Sequence, residues 1–399
     1  MPSAAGIRGT ATPGDASVVM PTRRYDVADV ISLLNVNRYP LLAILTNAGK
    51  DPVSKQGKAM KKKETIDPEF KWFEDTFGKR SATVDAATAN LDPDAGGDIT
   101  LGAGEGAYFQ VGDVILIAEQ KWAFQVTVVA GDVLTVGAEL GGVTGAATDI
   151  DGATVWLVGN ANEEGAGLRA IKSTLSSEKS GYCQIFRTPV GITETAKNTK
   201  MWTKESDFDY QRRKKGIEHM VDIERSFLFG KKSLITTGTH PKRFTDGILN
   251  RISTYASANV DTETEFETWL ESLFANGNVE KYLYASAAVV SMINNWAKGK
   301  LEVMSTEKTY GLRIVTYNSP HGTLHMIKHP LLTGTPYGNY AVGLDMETLT
   351  YRYLSNRDTK LLTNRQARGE DSQVDEYLSE VGLHMEQEER HAIMSIGAL

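Results

Sequence analysis

The sequence predicts an α+β chain that carries a small, separate β-module. Three observations predict this. Short β-branched runs crowd one glycine-rich, acidic stretch, a long helical period follows that stretch, and short helices alternate with strands beyond it. A length of 399 residues accommodates two or three domains with a sizeable core. Hydrophobic residues at 41% and charged residues at 23% are ordinary for a globular protein and exclude a disordered tail or a fibre. The lone Cys183 excludes an internal disulfide framework and a cysteine metal cluster within one chain. No apolar run approaches the roughly 18–20 residues of a membrane helix. The first residues lack the apolar core of a signal peptide, so a cytoplasm-like compartment is expected.

The formal net charge of −7 argues against a general nucleic-acid coat held by phosphate contacts. That average hides a segregation. Residues 1–65 carry ten bases against five acids, whereas residues 81–168 carry Lys121 alone against thirteen acids. The acidic stretch also holds fifteen glycines between Gly96 and Gly167. A shift this sharp in charge and glycine marks a separate module.

The elements follow in order. The first twenty or so residues are rich in Ala, Gly, Thr, Ser and Pro and read as a mobile arm. Val27, Val30, Ile31 and Leu34 fall at helical spacing. Pro40 opens a second short helix through Leu41, Leu42, Ile44 and Leu45, too short to be stable unless docked. Residues 58–80 read as extended, with Phe70, Trp72 and Phe73 in a charged setting. Val114–Ala118, Trp122–Val129, Val133–Val136 and Thr154–Val158 are strands of a small barrel or sandwich, the second and third joined by a turn at Gly131. Cys183–Val190 is extended. Lys204–Phe229 is a long helix with apolar positions Ile217, Met220, Val221, Phe227 and Leu228, stopped by Gly230. Its other side is charged through Arg212, Arg213, Lys214, Lys215, Glu218, Asp222, Glu224 and Arg225, so it reads as a strut lying across a sheet. Thr262 and Glu265 form a capping box ahead of Phe266, Trp269, Leu270, Leu273 and Phe274. Ser286 caps a helix over Val289–Ala297. Leu312–Tyr317 and Thr323–Lys328 are strands, Tyr377 to Met385 alternates as a strand face, and Ala392–Ile396 is a last buried run.

The search for chemistry returns little. The Gly102–Gly106 run leads into a strand, not a helix, and so faces no phosphate. The Asp92–Asp98 acids lack the closing carboxylate of a calcium loop, because position 103 is Ala. His321, His325 and His329 share a strand face by parity, but the outer two stand about 26 Å apart at the strand rise, too far for one ion. Cys183 reads as a small core residue rather than a nucleophile. There is no GxSxG and no HExxH. No catalytic residue, metal or cofactor is expected, and nearly 400 residues without a catalytic constellation favour a structural or assembly protein.

The order of elements then carries a resemblance. A docking arm, an extended segment, a β-rich insertion, a returning segment, a spine helix, a small α/β domain and a returning strand follow one another. Phe70–Asp75, Gln110–Val114 through Ala161–Gly165, Asp222–Gly230, Arg243–Ile248 and Tyr377–Ile396 are the stretches that match. In this order the chain resembles the major capsid proteins of tailed bacteriophages with the Hong Kong 97-like fold, in the branch with a small β-barrel inserted in the extended loop. The resemblance implies an N-terminal arm over residues 1–57, an extended loop over 58–100 and 160–200, and an inserted module over 101–159. It implies a peripheral domain with the spine helix over 201–259 and 346–399, and an axial domain over 260–345. It also implies hexamers and pentamers of this chain in an icosahedral virion shell, assembled in the host cytoplasm and enclosing double-stranded DNA without sequence-specific binding. A separate scaffolding protein, a portal and a decoration protein are the implied partners, and no membrane is. Leu41, Leu42, Ile44, Phe70, Trp72, Arg212, Arg213, Lys214 and Glu218 are candidate intersubunit contacts, the apolar ones because such side chains without a local partner find one in a neighbour. An encapsulin-type compartment on the same fold and a surface-binding protein using the β-module stay open, with an enzyme using the histidine or acidic clusters behind them.

Overall fold

The computed structural model describes residues 8–9, 18–19, 40–42, 61–85, 90–173, 175–199, 206–296 and 314–397. The helix expected over 26–34 and the candidate contact Ile44 lie outside them. The fold is mixed α/β, and the chain divides into two compact units, Met1–Trp72 with Lys179–Leu399, and Phe73–Glu178.

The inserted unit is built on a six-stranded antiparallel sheet. Its strand order is Ser81–Thr83, Thr154–Asn160, Asp113–Ile117, Trp122–Ala130, Val133–Val136 and Gly97–Thr100. The two outer strands meet at a bridge between Val84 and Leu101, where Asp85 N–H donates to Thr100 O at 2.8 Å and Gly102 N–H to Thr83 O at 2.9 Å. Period-two alternation sends Ile99, Ile115, Ile117, Phe124, Val126, Leu134, Val136 and Val155 inward to one core. The four strands read from the sequence are present. The unit is wider than residues 101–159 because Ser81–Thr83 and Gly97–Thr100 belong to the same sheet. Runs of three and four residues are too short to show alternation.

The Gly102–Gly106 run is tied down. Asp132 accepts N–H bonds from Gly104 and Gly106, each at 3.0 Å, and these bonds hold its carboxyl below the usual range. A Cβ on Gly106 would stand 2.0 Å from Gly131 O, so the turn closes there on glycine alone.

Two large sheets organise the described part of the larger unit. In the first, Gln184–Thr193, Ser372–Met385, Leu349–Leu354 and Lys61–Thr65 lie side by side, and Lys360–Leu362 also pairs with the long strand. The spine helix, Asp207–Phe229, packs on Gln184–Thr193. It stops at Gly230, and a Cβ on Gly247 would stand 2.4 Å from Gly230 N, which explains the glycine in Asp246–Ile248.

The second sheet runs Ala256–Ser257, Ala392–Ser395, Tyr340–Leu344, Glu280–Ala285, Gly322–Lys328 and Ile314–Ser319. Helices Glu263–Phe274 and Ala287–Trp296 bury Phe266, Trp269, Leu270, Leu273, Val289 and Ile293 in one core with it. The capping box is formed as read: Glu265 N–H donates to Thr262 Oγ1 at 3.3 Å and Thr262 N–H to Glu265 Oε2 at 2.8 Å. Ala392–Ser395 pairs with Tyr340–Leu344 in this sheet, and Ile393 lies in the core that also holds Ile223, Phe227 and Leu228 of the spine helix.

Candidate assembly surfaces

The spine helix turns polar groups inward as well as outward. His219 is fully buried, with Nδ1 at 2.9 Å from Thr188 Oγ1 and Nε2 at 2.7 Å from Ser379 Oγ, so it ties the helix to both long strands. Burial lowers its pKa. Glu224, read with the charged outer face, is in fact buried: its place in the 3.6-residue cycle puts it beside Val221, Phe227 and Leu228. It accepts N–H bonds from Leu41 at 3.3 Å and Leu42 at 3.0 Å and lies 2.7 Å from His329 Nε2.

Several candidate contacts therefore already have partners in their own chain. Leu41 and Leu42 are buried in the core that holds Ile223, Phe227 and Leu228. Phe70 and Trp72 stack at 5.9 Å and cover His384, whose ring lies 4.4 Å from Trp72 and 5.8 Å from Phe70. Cys183 closes this cluster, and burial pushes its thiol up to about 12, so it is a core residue. Arg212 donates through Nε to buried Asp375 at 2.6 Å and stacks over Phe208. Glu218 pairs with Lys215 at 2.6 Å. Arg213 is exposed and Lys214 is half-buried on the same helix. The basic run Lys61–Lys63 is extended, as read: it is a sheet strand in parallel register with Thr350–Arg352, and Lys62 pairs with Asp358 over the Tyr351 and Tyr353 rings.

The exposed apolar surface lies elsewhere. In the inserted unit Phe77, Leu168, Ile171 and Leu175 are 93–102% exposed, and in the larger unit Ile66 is 96% exposed. Residues 161–173 form no helix or strand, yet they are held: Arg169 reaches Asp113 at 2.6 Å and Val111 O at 3.0 Å. A pinned backbone thus presents Leu168 and Ile171 to solvent on either side of the arginine. These residues are not conspicuous in the sequence, because they stand singly among polar ones and form no apolar cluster. The signal that could have found them is the large aliphatics at 168, 171 and 175 in a stretch with neither helical caps nor strand alternation.

Among the described residues no group of three or more His, Cys, Asp or Glu is placed to hold a metal ion. His325 and His329 are buried against Tyr282 and Tyr284, while His321 is exposed. What is built is a scaffold whose described residues leave several large apolar side chains exposed, as shell-forming structural proteins do. Sequence comparison is consistent with that class: the chain is 22% identical over 312 residues to the major capsid protein of Pseudomonas phage PaMx41, covering 74% of each chain. The chain belongs to the SU10 major capsid protein family, whose model matches residues 6–396. Solved structures similar to it include Microbacterium phage Oxtober96 (8% identity, TM-score 0.46, 94% of this chain and 96% of that one). The holo-SrpI encapsulin complex of Synechococcus elongatus is another (8% identity, TM-score 0.41, 56% and 76%).

Proposed function

We propose that this major capsid protein associates with copies of itself into hexamers and pentamers of an icosahedral shell around double-stranded DNA, on a Hong Kong 97-like fold. The observation that supports the reading is that Phe77, Leu168, Ile171 and Leu175 stand almost fully exposed. Each such side chain gains about 1.5–3 kcal/mol when buried, so a neighbouring copy that covers any of them is favoured over solvent. In this reading the Val84–Leu101 bridge closes the inserted sheet into a small barrel within the extended loop. The spine helix and its sheet are the peripheral domain, and the second sheet with its two helices is the axial domain. Arg213, Lys214 and Glu218 belong to the subunit boundary. A separate scaffolding protein, a portal and a decoration protein complete the particle, assembled in the host cytoplasm.

The test is size-exclusion chromatography with light scattering, and negative-stain microscopy of the purified chain with and without a scaffold protein. Rings or shells are expected. Leu168→Ser with Ile171→Ser and Leu175→Ser is expected to leave a folded monomer. Full assembly of that triple variant would sink the role given to these side chains. Packaged DNA in the native particle separates a phage shell from an encapsulin-type compartment.

A further inference from the structure

Two backbone donors and a histidine nitrogen meet at one buried carboxylate. Leu41 N–H points at Glu224 Oε1 at 3.3 Å and Leu42 N–H at Oε2 at 3.0 Å. The histidine is His329, which follows the strand Gly322–Lys328. Its Nδ1 accepts the Leu331 N–H at 3.2 Å, so the ring proton sits on Nε2, which lies 2.7 Å from Glu224 Oε1. Glu224 and His329 both have side chains with no exposed surface, and the Tyr284 ring stands 5.9 Å from the His329 ring.

Three pieces of chain distant in sequence therefore meet at this point: the segment Pro40–Leu42, the spine helix and the end of a strand in the other sheet. A carboxylate offers one acceptor oxygen to each of the two amides; the isosteric amide of glutamine has one acceptor oxygen and brings two donors of its own. Burial pushes the Glu224 pKa up, and the His329 and Leu41–Leu42 donors oppose that push.

We propose that Glu224 and His329 form a latch that seats the N-terminal segment. The two leucines fill the core, but the carboxylate decides whether the segment stays in it. Burying Leu41 and Leu42 also buries two amide donors, and without an acceptor those amides favour the segment in water. The latch also couples two elements. A shift of the spine helix away from His329 weakens the histidine bond, and a shift away from Leu42 frees the segment. This inference does not depend on assembly.

Hydrogen–deuterium exchange on the full chain tests it. In Glu224→Gln the amides of Leu41 and Leu42 are expected to exchange about tenfold faster or more, as fits the loss of charge-assisted bonds. The strand Leu324–Ile327 should keep its protection. His329→Gln, whose amide can donate to Glu224 and accept from Leu331, is expected to hold the segment better than His329→Leu. Should the Gln variant not fold, Glu224→Asp carries the same test, since it keeps the charge and draws the carboxylate back. Unchanged exchange at Leu41 and Leu42 in the folded variant would overturn the latch. So would a rise that is equal across Leu324–Ile327, since it would make Glu224 a general core residue.

Discussion

His391 shows how one residue sets the response of this chain to acid. It is fully buried; its Nδ1 accepts the Asp345 N–H at 3.2 Å, and its Nε2 lies 3.0 Å from the Thr348 hydroxyl, which in turn donates to Asp345 O. An imidazolium could not accept the Asp345 bond, and burial takes the pKa down to about 3. His384 is also taken to about 3, first by burial and then by Arg352 and Arg251. The sign follows. Between pH 6.5 and 3 the unfolded chain binds a proton that the folded chain does not, so stability is full above 6.5 and falls with pH below it. The slope for His391 is about 1.4 kcal/mol per pH unit. Urea midpoints at pH 7, 6 and 5 are expected to fall for the native chain and to fall less steeply for His391→Gln; parallel lines would contradict the assignment. Lys281 is the opposite kind of buried group. Its Nζ donates to Leu273 O, Asn276 O and Arg390 O at 2.6–2.7 Å, capping the end of the Glu263–Phe274 helix. Lys281→Met leaves those carbonyls without this donor and is expected to cost about 1–3 kcal/mol by urea unfolding.

At the scale of elements, the spine helix is held by an asymmetric ion pair. Asp375 is fully buried on the strand Ser372–Met385 and also accepts the Asn364 N–H at 3.0 Å, whereas the Arg212 side chain is 25% exposed. Arg212→Ala therefore strands a buried charge and is expected to cost about 3 kcal/mol. Asp375→Ala leaves an arginine that can turn to water or to Asp209, and is expected to cost about half as much. Equal losses in denaturant titrations of the two variants would refute this. The sequence was legible where local rules suffice. The Thr262–Glu265 capping box and the apolar spacing from Phe266 to Phe274 depend on neighbours within a few residues, as does the alternation in Trp122–Ala130. It was not legible where a partner far along the chain decides. Glu224 looks solvated until Leu41, Leu42 and His329 supply its donors. Lys61–Lys63 reads as extended, but the partner in its parallel register, Leu349–Leu354, lies almost three hundred positions away. Leu41 and Leu42 look unpartnered for the same reason, since the helix residues they pack with lie more than a hundred positions away.

At the scale of the whole molecule, charge and core divide the chain along the same line. The glycine-rich acidic stretch lies within Phe73–Glu178, and the core of that unit runs from Ala82 to Val155 without a residue from the other unit. The cores around Phe227 and around Trp269 draw only on the larger unit. The chain leaves the larger unit through Glu69–Glu74 and returns through Ser177–Tyr182, and these two strands pair as a ribbon. If the inserted unit melts, that ribbon remains as the closure of a loop of about 100 residues. The entropy cost of holding such a loop rises only logarithmically with its length, each doubling adding about 0.6 kcal/mol. The larger unit should therefore stay folded when the inserted one does not. Phe124 is buried in the inserted core, and Phe124→Ala removes it at a cost of about 3–5 kcal/mol. Calorimetry of this variant is expected to show one transition moved down and the other unmoved. Hydrogen exchange should rise across Ile115–Ile117 and Val133–Val136 while Leu324–Ile327 keeps its protection. Trp269→Ala should produce the converse pattern. A single transition that both substitutions shift together would mean that the two cores unfold as one, and that the inserted unit is part of the larger fold and not a module set into it.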